Sequence, residues 1–326
     1  MKISKTPLRI SLFGGGTDFP EFFKSEESLI IGGTIDKYVY TTVNKQIINL
    51  SKKNVKIFYR KVERVDKVSE IKHKVVQSLL EKFKIKKNIE IHIASDLPSF
   101  SGLGSSSAFS VGLYNLLQMF KGKLFSKKNL AAKTINLERN VLKETVGFQD
   151  QIHCSYGGFN LIKLNKKGFT VKNYFGNKMI SKLEKNLFLI FTGITRKAEN
   201  IEKKKLKRIK LNFDFLKRIN LISKKALRVL KSNKFENLDQ IGKLLNETWE
   251  LKKKLSNSVS NKSIDSIYNH GIKNGALGGK LLGAGSGGFL LFYVNNKNKK
   301  RFKKAMKNYS QIEFKFTNNG SQVVDL

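Results

Sequence analysis

The sequence predicts a fold of mixed helices and strands in two parts, and three observations carry that reading. β-rich runs alternate with apolar-patterned helices through the first half, whereas helical patterns dominate beyond Thr195. A polar stretch near Gly168 to Lys182, lying between the strand-like GGFNLIKL and NLFLIFTG, places a boundary that gives units 1–175 and 176–326. The 326 residues are 40% hydrophobic and include 24 Phe, enough core for one large domain or two of ordinary size.

In order, SKTPLRISLF reads as a strand running into the triple glycine Gly14 to Gly16, and Leu29 to Val43 as a β-rich run broken by Gly32 and Gly33. Val68, Ile71, Val75, Val76, Leu79, Leu80 and Phe83 recur at three and four, the spacing of an amphipathic helix. Ile89, Ile91 and Ile93 alternate as in a strand. A helix is expected over Ser106–Phe120, and another, capped by Ser126, out to Lys143. The second part predicts helices over Lys197–Lys231, Phe235–Leu255 and Ile264–Asn274. A strand over Gly288–Val294, a basic helix around Arg301 and a strand over Ile312–Phe316 complete it.

The net charge is +38, from 63 basic and 25 acidic residues. Only nine of the basic residues are Arg, so the field comes mostly from dispersed Lys. Base-reading surfaces depend on Arg forks, and the run Lys203 to Lys210 reads as a solvated helix face, so no nucleic-acid partner is expected. Such a field steers anionic metabolites inward. One cysteine, Cys154, excludes an internal disulfide, and the four histidines lack metal-ligand spacing. The uncharged run Leu97 to Phe120 is rich in Ser and Gly, which argues against a membrane span. A cytoplasmic protein is expected, and assembly as a homodimer is compatible with the sequence.

The chemistry concentrates in LPSFSGLGSSSAFSVGLY, Leu97 to Tyr114. Gly102 and Gly104 allow backbone amides to converge on a ligand, and the following helix start adds unpaired N–H groups and a positive dipole end. Gly102, Leu103, Gly104, Ser105, Ser106 and Ser107 are therefore the candidate phosphate cradle, although a Gly/Ser linker has similar composition. A second glycine cluster, Gly283 to Gly288, matches a dinucleotide fingerprint in letters only, because a strand rather than a helix follows it. It is expected to pack against the cradle or the acceptor substrate, with a tight β-turn as the plain alternative.

Phosphoryl transfer also needs a metal ligand and a group that takes or orients the acceptor proton. Glu138 could serve magnesium or merely pair with Arg139. Asp150, expected at a helix start after Gly147, could act as base or anchor. Asp18 could bind sugar hydroxyls or cap a short helix near Pro20. Arg9, set in an apolar strand, needs an anionic partner if buried.

Three ordered segments, TPLRISLFGGGTDFP, LPSFSGLGSSSAF and GGKLLGAGSGGFLLFY, resemble the GHMP small-molecule kinase superfamily over essentially the whole chain. IDKYVY, VGFQDQIHCSYGGFN, FTGITRKAENI and WELKKKLSNSVSN resemble its D-glycero-D-manno-heptose 7-phosphate kinase branch. The resemblance implies an α+β fold of two domains, the first like ribosomal protein S5 domain 2 and the second ferredoxin-like. It implies ATP over Gly102 to Ser107, Mg²⁺ held by Ser106 and Glu138, and catalysis by Asp150 with Arg9. Asp18, with Thr17 and Gly16 beside it, would contact the acceptor, and Gly285 and Ser286 would close the site. The implied reaction phosphorylates the anomeric hydroxyl of the heptose 7-phosphate, a small sugar phosphate, for nucleotide-activated heptose and surface glycans. A related sugar 1-kinase of the L-fucose type is the alternative, and a basic nucleic-acid-binding protein the distant one. A phosphorylated acceptor needs a second anion site, for which Arg196, Lys37 and Lys280 are candidates. Ser286 stands where the family usually has Gly.

Overall fold

The structure, a computed structural model, describes residues 1–46, 53–123, 125–174, 176–195, 211–232 and 234–325. An eight-stranded sheet is built around two long neighbours, β1 (Lys2–Phe13) and β2 (Ser28–Lys45), paired antiparallel. On its far side β2 pairs first with β6 (Phe159–Asn165) and then, along its second half, with β5 (Ile89–Ser95). β3 (Val55–Phe58) runs parallel to β5 and hairpins with β4 (Val62–Val65), while β7 (Gly168–Asn173) pairs with β6. The last strand, β12 (Gln322–Asp325), returns to the outer edge of β1.

A smaller antiparallel sheet holds β11 (Gln311–Ile312), β8 (Leu187–Phe191), β10 (Phe289–Val294) and β9 (Ala276–Leu281), in that order. After the short helix α6 (Lys178–Glu184), α7 (Phe213–Lys231) packs against β1 and β2 of the first sheet, whereas α8 (Asp239–Lys254) and α9 (Lys262–Lys273) pack on the smaller one. This mixture of helices and two sheets is the α+β architecture that the sequence leads one to expect.

Helix α3 (Ser105–Phe120) explains the uncharged run that tempts a membrane reading. It is buried on every side, and a Cβ on Gly112 would lie 2.6 Å from the Thr6 hydroxyl of β1. A helix apolar all round belongs in a core. Its neighbours are α4 (Lys127–Asn136), capped by Ser126 through a 3.2 Å bond from the Asn129 amide, and α5 (Gln149–Tyr156).

Several boundaries differ from the periodicity. The helix expected from Val68 starts only at Lys74, as α2 (Lys74–Lys82). Val68–Glu70 forms a 3₁₀ turn in which the Glu70 carboxylate accepts from the Asp66 and Lys67 amides, and Ile71 is extended. The helix expected to reach Lys143 gives way at Leu137–Val141 to a π-turn, which turns Glu138 inward. Phe235–Leu238 is a 3₁₀ turn ahead of α8. The final strand is short because the chain leaves β11 to bridge Phe316 to Ile35 of the first sheet. A short basic helix, α10 (Lys299–Ala305), surrounds Arg301. Of the helix expected over Lys197–Lys231, residues 197–210, which include the charge run 203–210, lie outside the described residues, and the rest contains α7.

Candidate active site

Arg9 sits on β1 between buried Leu8 and Ile10 and is only 4% exposed. A buried guanidinium requires an anion, and Asp150 supplies it. Nε donates to Oδ1 and Nη2 to Oδ2, both at 2.8 Å, a planar fork across 141 residues of chain. The remaining arm, Nη1, donates to the Gly102 carbonyl at 2.6 Å, and the Arg9 amide donates to the Leu103 carbonyl at 3.0 Å. One side chain thus ties the first strand to α5 and to the glycine loop. Asp150 lies in the first turn of α5, as its position after Gly147 predicts.

The loop adopts conformations that glycine permits. Gly104, at φ +74°, caps α3, and a Cβ there would stand 3.2 Å from Arg9 Cγ and 3.3 Å from Asp150 Oδ2. The cradle backbone therefore lies directly on the ion pair. Gly102, at φ +83°, would place a Cβ 2.5 Å from the Leu282 carbonyl, and one on Gly283 would come equally close to Gly102 Cα. The two glycine clusters touch backbone to backbone, with the Phe289 amide donating to the Ser101 carbonyl at 3.2 Å. The last glycine loop packs against the cradle, one of the two roles expected for it.

These elements enclose a cleft of about 530 Å³. Ser105, Ser106 and Ser107 line it from the first turn of α3, Arg9 and Asp150 from its floor, and Gly285 and Lys280 from the second sheet's side. Leu103 contributes only its carbonyl, since its side chain is fully buried in the core.

Glu138 is fully buried and does not pair with Arg139, which bonds Glu21 at 3.1 Å and the Val146 carbonyl. Ser107 donates to Glu138 Oε2 at 3.0 Å, with Gln151 donating to the same oxygen. Ser106 is exposed on the first turn of α3 and lines the cleft. Burial pushes the Glu138 carboxyl up to about 7, against the pull of the Gln151 and Ser107 hydrogen bonds. Its Oε1 is the oxygen that neither Ser107 nor Gln151 reaches. A hard cation completed by phosphate oxygens suits such a donor set, since Mg²⁺ uses one or two carboxylates beside substrate phosphates. Among the described residues no cluster of three metal-binding side chains exists.

Of the residues expected to meet the acceptor, Asp18 and Gly16 line the cleft. Asp18 does not cap the helix α1 (Pro20–Phe23), whose cap residue is Phe19. Its carboxylate accepts from the Gly16 amide at 2.9 Å and from the Gln149 amide and side chain at 3.3 and 3.0 Å, so it caps α5 instead. Thr17 is corrected to a scaffold residue: fully buried, its hydroxyl donates to the Gly14 carbonyl and meets Ser28. Ser286 is corrected likewise. At φ +62° it turns away from the cleft, its hydroxyl donating to the Ser258 carbonyl and its amide to the Val259 carbonyl. Lys280 is 3% exposed and donates to the Leu12 carbonyl at 3.0 Å. Lys37 pairs with Asp36 outside the cleft, and Arg196 lies outside the described residues.

Sequence reasoning passed over several lining residues. Lys252 is 7% exposed and donates to the Leu281 and Gly283 carbonyls at 2.8 and 2.6 Å. Its signal was its place one turn after buried Trp249 on α8, hidden inside a run of three lysines. Gln149, adjacent to Asp150, and Ser11, two residues after Arg9, also line the cleft, as do Lys72, His73 and Phe100. Behind the floor, burial pushes His153 down to about 3, with the Arg9 charge adding to it. Cys154 is a buried thiol pushed up by burial, then by the Asp150 charge.

Residues 70–158 match the family described as GHMP kinases N terminal domain, and residues 224–311 match GHMP kinases C terminal. The D-glycero-alpha-D-manno-heptose 7-phosphate kinase of Campylobacter jejuni is 30% identical, across 97% of both chains. The chain belongs to the GHMP kinases. Its fold is similar to a solved heptose 1-phosphate kinase of Bacteroides thetaiotaomicron, with TM-score 0.80 at 21% identity, covering 100% of this chain and 99% of the other. A crystallised sugar kinase of C. jejuni gives TM-score 0.74 at 28% identity, covering 99% and 98%. This GHMP kinase is a sugar kinase, a phosphotransferase with an alcohol acceptor. Among its described residues no helix is long and apolar enough to cross a membrane.

Proposed function

We propose that this kinase transfers the γ-phosphoryl group of ATP to the anomeric hydroxyl of D-glycero-D-manno-heptose 7-phosphate, yielding the 1,7-bisphosphate on a route to activated heptose. The observation that carries it is the Arg9–Asp150 fork pressed against the Gly102–Gly104 backbone at the start of α3. A helix N-terminus with glycine-borne amides favours phosphate, and a carboxylate in contact with that loop stands where an acceptor hydroxyl must approach. The 30% identity to a heptose 7-phosphate kinase supports the sugar.

In this reading Ser105 to Ser107 bind phosphate oxygens through their amides. Arg9 orients the Asp150 carboxylate, and its charge favours the phosphoryl group's negative charge nearby. Asp150 accepts or orients the proton of the attacking hydroxyl. Asp18 contacts acceptor hydroxyls. Glu138, with Ser106 and Ser107 nearby, would hold Mg²⁺, which would supply positive charge to offset the negative charge developing during phosphoryl transfer. Lys280 and Arg196 are the candidates for the acceptor's own phosphate, with units 1–175 and 176–326 meeting at the cleft. Steady-state ATP turnover across neutral sugars and sugar 7-phosphates tests the assignment. Preference for the heptose 7-phosphate is expected, and preference for a neutral sugar such as L-fucose would replace it.

A further inference from the structure

Two polar atoms in the cleft wall have no partner within the protein: the Ser11 hydroxyl and Gln149 Oε1. Ser11 is 4% exposed and Gln149 9%, and both line the cleft. Ser11 follows Arg9 by two residues in β1, so the two side chains share a face of the strand. Gln149 immediately precedes Asp150. Its orientation is fixed, because Nε2 donates to Asp18 Oδ2 at 3.0 Å, which leaves Oε1 as the idle end. Gly15 lies between them: a Cβ there would stand 3.3 Å from Ser11 Oγ and 3.7 Å from Gln149 Nε2. With no side chain at Gly15, only its backbone stands beside the two groups, which lie just beneath the cleft surface next to the ion pair.

Buried polar atoms are almost always paired in native proteins, so two orphans in one corner of a ligand cleft call for an external partner. Their chemistry restricts it. An amide oxygen only accepts, so the ligand must bring a hydrogen-bond donor; a carboxylate or phosphate at neutral pH brings none. Ser11 can donate or accept, which suits a second hydroxyl. We propose that Ser11 and Gln149 form a specificity-determining pair that recognises hydroxyl groups of a polyhydroxylated acceptor, next to the hydroxyl that Asp150 handles. This rests on the sugar-kinase reading above and adds which part of the acceptor is read. Sites of this kind reject analogues lacking the hydroxyl, because the wall group is then left buried and unpaired.

The test compares wild type, Ser11→Ala and Gln149→Met with the heptose 7-phosphate and its mono-deoxy analogues. Ser11→Ala deletes a group that bonds nothing in the ligand-free protein, so its urea midpoint is expected to match or exceed wild type. Its kcat/KM for the sugar is expected to fall about 10- to 100-fold, mostly through KM, while KM for ATP holds. Each variant should also become indifferent to one deoxy position that wild type penalises. Unchanged kcat/KM in Ser11→Ala overturns the proposal. So does an equal loss on every deoxy analogue in both variants, which would mark a merely structural role. If wild type turns over another alcohol and no sugar phosphate, the functional reading fails on its own. The same ratios measured on that alcohol and its deoxy forms then decide the pair's role.

Discussion

Arg9 grips both carboxylate oxygens of Asp150 at 2.8 Å, and the same guanidinium holds the Gly102 carbonyl at 2.6 Å. One buried cation therefore sets the acid and the glycine loop in a single geometry. A change to either partner should register in chemistry and in nucleotide binding to different degrees.

Asp150→Asn keeps the shape while removing the charge and the strong acceptor. We predict that it folds and binds ATP with near-normal affinity, yet loses about 10²–10⁴-fold in kcat. Fluorescence titration with ATP and steady-state kinetics check both halves. Near-normal turnover would remove Asp150 from proton handling.

Arg9→Lys retains charge but cannot span two carboxylate oxygens and a carbonyl at once. Leaving Asp150 and Gly102 incompletely paired inside the protein is expected to cost about 2–4 kcal/mol of stability. Because Gly102 is then untethered, KM for ATP should rise together with the fall in kcat. Urea unfolding and a kinetic comparison with Asp150→Asn separate the cases: a lysine variant with unaltered KM for ATP contradicts the tether.

Gly102→Ala tests the loop itself. A Cβ would collide with the Leu282 carbonyl at 2.5 Å, in a backbone region that L residues avoid. The clash joins the two glycine loops, so relief requires them to separate. A loss of about 2–3 kcal/mol is expected, together with weakened ATP binding. Thermal unfolding with and without ATP reads it, and a fully stable variant would show that the loops tolerate separation.

Much of this site was legible before any coordinates. Glycine runs next to a helix start point to the loop that the structure presses against the ion pair, and an arginine in an apolar strand announces a buried anion, which proved to be Asp150. The longer strands and most helices follow from apolar spacing, whereas the shorter strands β3, β4, β7, β9 and β12 were not read from it. What escaped depends on contacts distant in sequence. No local pattern says that Asp18 caps α5 rather than α1, or which carboxylate Ser107 reaches. The choice depends on the π-turn at Leu137–Val141, which rotates Glu138 inward and which periodicity does not encode. Ser286 misled because a glycine-like position next to a cleft suggests ligand contact, whereas its hydroxyl satisfies the Ser258 carbonyl.

Glu138 gives the pH-dependent prediction. Its folded value near 7 lies above the ordinary 4.5, so below pH 4.5 the carboxyl is protonated in both states and carries no charge penalty. Between those values the unfolded chain ionises first, the folded protein binds the extra proton, and stability falls as pH rises. Above about pH 7 the whole penalty is present, on the order of 3 kcal/mol in metal-free protein. Glu138→Gln should abolish that slope, leaving the variant more stable than wild type at pH 8 in the presence of a chelator. The same change removes the charge that would hold Mg²⁺, so turnover should fall about 10²-fold or more despite the gain in stability. Urea midpoints across the pH range, set beside kcat at saturating Mg²⁺, give both readings. A variant with the wild-type slope would mean that Glu138 is not what titrates, and one with full activity would remove it from the metal.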